Sequence, residues 1–276
     1  MSTPLHAHMF ERLLSCEMRT GSLYDFAEHY DVDYAGYRAE VPFYCAVVER
    51  MPSGARYLEV GAGTGRLVLP IAATGVPCHA VEPARAMRER LTQKLANETF
   101  PPGLVSVEDA RAHDFVGPRE GTIGVVAFPF NGVQHLHGRA ALDGFLTRAR
   151  AALVDDGLVA FDVTGPAWEE MSAGVREWGR LDERVHAKTG ERLFTIDRSV
   201  FDDERRVMTT SFRYLGEHDE TGVEAFIEQF MWTSQELLHA LSRHGFVVEL
   251  AIGDVDFAPL EERSPRLLVA GRKRSG

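Results

Sequence analysis

An α/β fold on a doubly wound, largely parallel sheet is predicted by three observations. The apolar run Tyr57-Leu58-Glu59-Val60 leads straight into Gly61-Ala62-Gly63-Thr64-Gly65 and then into a helical stretch. Two further short apolar runs, residues 76–81 and 104–107, end in carboxylates, Glu82 in one case and Glu108-Asp109 in the other. A fourth and a fifth, residues 123–128 and 157–163, flank a helical segment over residues 139–154. Strands that alternate with helices in this way form parallel βαβ units.

The first strand carries the strongest chemical signal. Gly61, Gly63 and Gly65 have no Cβ, so the turn can take left-handed dihedrals and a ligand can lie on its backbone, facing the free amides at the next helix start. In the dinucleotide fingerprint the third glycine comes three residues after the second; here it comes two after. An ordinary glycine-rich turn is the alternative until the later strands are considered. Glu82 closes the second strand about twenty residues after the first glycine, where a carboxylate can accept both hydroxyls of a ribose. Its alternative is a solvated carboxylate favoured by a helix dipole. Asp109 closes the third strand, and alone it would equally suit a turn.

Together, Glu59-x-Gly61-x-Gly63-x-Gly65 with Glu82 and Asp109 in register resembles the motifs of class I S-adenosylmethionine-dependent methyltransferases. The resemblance implies that Glu59, Gly61, Ala62, Gly63, Gly65, Glu82 and Pro83 hold S-adenosylmethionine. It also implies that Asp109 accepts from the adenine amino group with Ala110 supplying backbone, and that Phe128 and the following loop lie beside the methyl group. Asn131-x-x-Gln134-His135-Leu136 resembles small-molecule enzymes of this class, including sugar-amine and glycine-type N-methyltransferases, and makes Asn131 a substrate-binding candidate. The Asp-Pro-Pro-Tyr signature of base-amine nucleic-acid methylases is absent. The implied architecture is Rossmann-like: a seven-stranded sheet with its last strand antiparallel. Residues 234–246 read as the final amphipathic helix, capped by Thr233 or Ser234 and closed by Gly245. Strands at 246–252 and 266–271 end the chain, and the resemblance covers roughly residues 40–165 and 230–273.

Two regions fall outside that core. Period-two alternation over residues 191–215, broken at Asp202-Asp203-Glu204, predicts a hairpin, with further strands at 181–186 and 224–232. A small antiparallel β cap is therefore expected at 166–232, inserted after the fifth strand of a core formed by 46–165 and 233–276. It could roof the site, form a dimer face, or both. Trp232 is its candidate acceptor contact. Residues 1–45 are expected to form a helical lid, with Met9, Phe10, Leu13 and Leu14 on one helical face and a run of tyrosines behind it. Tyrosine brings apolar area with a polar tip, and by resemblance Tyr30 is the cofactor contact.

The 276 residues, 45% hydrophobic, suffice for one large domain with an elaboration. A formal charge of −11 disfavours a nucleic-acid partner, because phosphate neutralisation needs a basic face. Cys16, Cys45 and Cys78 fit neither a disulfide framework nor a zinc pattern, and histidine spacing gives no metal site. No run is long and apolar enough for a membrane span, and residues 1–20 lack a signal-peptide layout. A cytoplasmic enzyme with a small-molecule substrate, monomeric or homodimeric, is expected. Methyl transfer by direct displacement needs alignment and exclusion of water more than a covalent nucleophile. His135 is the candidate base, with a structural helix-start histidine as the alternative; Asp162 reads as a sheet-end group. A nicotinamide-dependent oxidoreductase, lacking here a Tyr-x-x-x-Lys pair, and a non-catalytic cofactor-binding module are the competing functions.

Overall fold

The computed structural model describes residues 4–118, 121–165, 177–186 and 189–274. In chain order the elements are α1 (Pro4–Ser15), β1 (Met18–Ser22), α2 (Ala27–Asp33), α3 (Val41–Val48), β2 (Arg56–Val60), α4 (Val68–Ala72), β3 (Cys78–Val81), α5 (Arg85–Ala96), β4 (Val105–Glu108) and β5 (Ile123–Phe128). There follow α6 (Arg139–Ala152), β6 (Leu153–Thr164), β7 (Asp182–Val185), β8 (Arg192–Asp202), β9 (Val207–Gly216), β10 (Gly222–Phe230), α7 (Ser234–Arg243), β11 (Phe246–Ile252) and β12 (Arg266–Lys273). The chain divides into two compact units, one of residues 38–167 and 230–276, the other of residues 1–37 and 168–229.

The larger unit holds the expected seven-stranded sheet, in the order β11-β12-β6-β5-β2-β3-β4. A parallel sheet covered on both faces needs strands that are apolar throughout, and every residue of β5 is buried. Successive side chains go to opposite faces. Leu58, Val126, Phe128 and Phe161 pack with Phe145 and Leu146 of α6 and Leu237 and Leu241 of α7 on one face. Tyr57, Val125, Ala127 and Leu158 pack with Tyr44 of α3, Ile71 of α4 and Leu91 of α5 on the other. The chain leaves β2 toward β3 and β4, then returns to β5 and β6 on the opposite side, so the topological switch lies between β2 and β5. Ligands of open α/β sheets bind at the carboxyl ends of the strands at such a point.

β12 runs antiparallel to both β6 and β11. The residues between α6 and the fifth apolar run form a bulge inside β6: Asp156 has φ +60°, and pairing jumps from Ile123↔Leu153 to Val125↔Leu158. Thr233 and Glu236 cap α7 reciprocally, each side chain accepting the other's backbone N–H.

The smaller unit carries a five-stranded sheet in the order β1-β10-β9-β8-β7. The β8–β9 hairpin runs in unbroken antiparallel register from Leu193↔Gly216 to Asp202↔Val207. Met9 and Leu13 of α1 pack against Phe194, Ile196 and Leu215 on one face of it. Two details depart from the sequence-based expectation. Residues 18–22 form a strand within the segment expected to be helical, and that strand pairs parallel with β10, giving the sheet one parallel edge. Backbone ladder bonds need no apolar pattern, and Met-Arg-Thr-Gly-Ser has none. Leu14 is 39% exposed, because the i, i+4 pair Met9 and Leu13 already fills the buried stripe and Leu14 is rotated off it. The first part of the expected insertion, residues 166–176, lies outside the described residues.

Candidate active site

At the carboxyl end of β2 the three glycines serve different ends. Gly61 has φ +65°, and a Cβ there would sit 3.1 Å from the Phe128 ring. A Cβ on Gly65 would lie 2.6 Å from Leu91, so this glycine lets the α4 and α5 side chains close up. At Gly63, φ is +56° and a Cβ would meet no protein atom within 4 Å. The loop is tied to β3 by the Ala62 N–H, which donates to the Val81 carbonyl at 3.1 Å. The Gly63 N–H donates to Glu82 Oε2 at 2.8 Å.

Glu82 thus stands beside the loop. Its second oxygen accepts from the Ala84 N–H at 2.8 Å, and its own N–H donates to the Glu108 carbonyl at 3.0 Å, so the ends of β2, β3 and β4 meet. Burial pushes the Glu82 carboxyl above its ordinary range, while the Ala84 and Gly63 amides and the Arg88 guanidinium favour the charged form. Each oxygen keeps a second acceptor position for a diol. Glu108 is held by His79 Nε2 at 2.7 Å and by the Val116 and Gly117 N–H groups. Asp109, next along, is 67% exposed and pairs with Arg88 at 2.6 Å. Pro83 is exposed and gives its carbonyl to Arg88, while Ala110 is half-buried.

The end of β5 adds a second group of side chains. The Phe128 ring lies edge-on to Phe145 at 5.2 Å and fills the space a Cβ on Gly132 would need, 2.1 Å away. Phe130 and Asn131 both take left-handed φ, +55° and +61°, a conformation that costs a non-glycine residue roughly 1–3 kcal/mol and clusters at functional sites. Buried Asp162 on β6 secures them. Its Oδ1 accepts from the Phe130 N–H at 2.7 Å and from the Tyr44 hydroxyl at 2.6 Å. Oδ2 accepts from the Asn131 N–H at 3.4 Å. Burial raises the Asp162 pKa against these hydrogen bonds. The Asn131 side-chain oxygen accepts from the Thr164 N–H at 2.6 Å, and Gln134 Nε2 donates to the Thr164 carbonyl. His135, half-buried, ends the 3-10 turn Gly132–His135 that follows. Arg66, the residue after Gly65, stacks its guanidinium 4.2 Å from the Phe130 ring and pairs with buried Glu40. The glycine loop and the β5 turn are thereby joined.

The structure therefore gathers Gly61, Ala62, Gly63, Gly65, Glu82, Pro83, Asp109, Ala110, Phe128, Asn131 and His135 at one edge of the sheet. Glu59 lies beneath that edge, 1% exposed; it accepts from the Tyr57 hydroxyl at 2.9 Å and from the Val68 amide. Its bonds tie the strand to α4. Trp232 is buried in the cluster shared by α6 and α7, and its Nε1 has no hydrogen-bond partner. Tyr30 belongs to the smaller unit, buried on α2 with its ring 4.7 Å from Tyr34. No group of three His, Cys, Asp or Glu among the described residues could hold a metal ion. No helix among the described residues is long and apolar enough to cross a membrane. Sequence reasoning missed Arg88, Arg66 and Glu40, and had Tyr44 only as one of the lid's run of tyrosines, where the structure sets it on Asp162; the single local clue was an arginine placed one turn into the helix after Glu82.

These residues fit a methionine-derived nucleoside: the open space at Gly63, a buried carboxylate beside it, and a second carboxylate on the next loop. A family model described as a methyltransferase domain matches residues 34–251. A search of curated proteins finds no match. Among solved structures the chain is similar to the CcbJ methyltransferase from Streptomyces caelestis, 20% identical over 92% of this chain and 97% of that one, TM-score 0.75. It is also similar to DesVI from Streptomyces venezuelae, 17% identical over 90% and 98% of the two chains, TM-score 0.70. A third is CalS10, an amino pentose methyltransferase from Micromonospora echinaspora, 22% identical over 88% and 96%, TM-score 0.64. At these identities the likeness is one of fold. The family match covers most of the sequence, sets aside the nicotinamide alternative, and assigns the chain: it belongs to the methyltransferase-domain family and is an S-adenosylmethionine-dependent methyltransferase.

Proposed function

We propose that this enzyme moves a methyl group to a nitrogen or oxygen of a small-molecule metabolite by direct displacement, with the cofactor held at the carboxyl edge of β2, β3 and β4. The carrying observation is the placement of the Glu82 carboxylate against the Gly63 amide, beside space that no protein atom fills. Gly61, Ala62, Gly63 and Gly65 form the floor, Glu82 and Pro83 take the ribose, Asp109 and Ala110 the base, and Phe128 packs under the loop. Glu59 acts beneath them, as the tie to α4. The small-molecule acceptor is supported by the formal charge of −11. It is further supported by likeness, over about nine-tenths of both chains, to proteins described as an amino pentose methyltransferase and a sugar N-methyltransferase.

When bound, the cofactor supplies an electrophilic methyl group on a cationic sulfur. The chain's own part is to align the acceptor and exclude water. Asn131 and Trp232 are assigned to acceptor binding, and His135 to receiving a proton from the acceptor. A hydroxyl acceptor must lose its proton, whereas an amine reacts through its neutral lone pair, so His135 matters more for oxygen.

Methyl-labelled S-adenosylmethionine, incubated with a panel of aminosugars, other amines and phenols, tests the reading. Label is expected in at least one small acceptor. Label found in protein or nucleic acid and in none of the small acceptors would contradict the reading. With a productive acceptor in hand, His135→Ala should lower kcat by about 10²-fold or more with cofactor affinity unchanged; an unchanged kcat removes His135 as the base.

A further inference from the structure

We infer that Arg88 is a positioning residue for adenine recognition, tying the Glu82 loop to the Asp109 loop and aiming the Asp109 carboxylate; this rests on the proposed role of Asp109 as acceptor from the base. Asp109 is two-thirds exposed on a loop, and an exposed ion pair by itself contributes little, because two mobile side chains must be ordered to form it. Arg88 is already ordered. Its Nη1 donates to the Glu82 carbonyl at 2.8 Å and to the Pro83 carbonyl at 2.6 Å. Its Nη2 donates to Asp109 Oδ2 at 2.6 Å. The guanidinium is a rigid fork, so two main-chain acceptors on the ribose loop fix the direction in which the third donor meets Asp109.

The same loop is held from its other side. Glu108 accepts from His79 Nε2 and from the Val116 and Gly117 amides, which pins the backbone one residue before Asp109. Backbone and side chain are thus set by separate contacts, and Asp109 keeps an oxygen that Arg88 does not engage. Lysine could not reproduce this, because an ammonium on a flexible stem has no planar fork to span carbonyls and carboxylate together.

The test is calorimetric titration of the full chain with S-adenosylhomocysteine and with S-inosylhomocysteine, in which a carbonyl replaces the adenine amino group. The wild type should prefer the adenosyl compound by about tenfold, the worth of one hydrogen bond to a charged acceptor. Asp109→Asn, able to donate as well as accept, should erase that preference. Arg88→Met should cut it to below about threefold with the melting temperature moved by no more than about 2 °C, and Arg88→Met with Asp109→Asn should match Asp109→Asn alone. A preference retained in Arg88→Met, an equal loss of affinity for both compounds, or additive losses in the double variant would overturn the inference. Should Arg88→Met fail to fold, Arg88→Lys decides it: the preference is expected to fall although the positive charge remains, and a full preference overturns the claim. A wild type that binds both compounds equally removes the base-binding role of Asp109 itself, and that result is separable from all the others.

Discussion

Glu59 shows how a side chain of the glycine motif can act beneath the loop, on the strand and helix that carry it. Burial pushes its carboxyl from 4.5 to about 8, against the Tyr57 hydroxyl and the Arg66 charge that favour ionisation. A folded-state pKa raised above the unfolded value favours the fold at low pH: this contribution is full below about 4.5 and is lost as pH rises through about 8. Glu59→Gln keeps an acceptor for Tyr57 and cannot ionise. Its melting temperature should therefore decline less than that of the wild type between pH 5 and pH 8.5; parallel curves would show that Glu59 does not titrate in this window. Gly63→Val separates backbone strain from blocked space. Left-handed φ costs a β-branched residue roughly 1–3 kcal/mol, and the same cost applies at Gly75, where φ is +89° and a Cβ again meets nothing. Both variants should melt lower, and only Gly63→Val should lose S-adenosylmethionine affinity in calorimetry. Equal affinity in the two would count against cofactor contact at Gly63.

At the scale of elements, the turn after β5 is the most tightly determined feature of the edge. Gly132 has an ordinary φ, and its want of a Cβ serves packing alone: the Phe128 ring occupies that place. Gly132→Ala should cost about 1–3 kcal/mol in denaturant unfolding, the usual penalty of overpacking; a stability within about 0.5 kcal/mol of wild type would mean the ring moves freely. Thr233→Ala should cost about 1 kcal/mol through loss of the α7 cap. Such local signals were legible in the sequence. The continuous apolar runs of β2, β3 and β5, the alternation of β8 and β9, and the Thr233–Glu236 box each sit within a few residues of one another. The contacts that finish the edge do not. Asp162 meets Phe130 and Tyr44 only because β6 lies beside β5 and α3 covers that face, and Arg88 meets Asp109 only because β3 pairs with β4. The strand β1 was hidden for the same reason, since its partner β10 lies far along the chain and its own five residues carry no pattern.

The whole molecule joins an acidic chain, of net charge −11, to a candidate site at the switch point of its sheet. An acidic chain of this kind is expected to leave duplex DNA unshifted in a gel at roughly physiological salt. A shift that weakens as salt rises would reopen the acceptor class. The three strand ends meet through Ala62, Gly63 and Glu82, and the proposed function seats a nucleoside there, against a glycine loop and two carboxylates together. A crystal structure of the chain with S-adenosylhomocysteine bound examines this most directly. It should show the nucleoside lying on Gly61–Gly65, with the ribose hydroxyls on Glu82 and the adenine amino group on Asp109. A nucleoside bound elsewhere, or seated on the loop with its ribose turned away from Glu82, would contradict it.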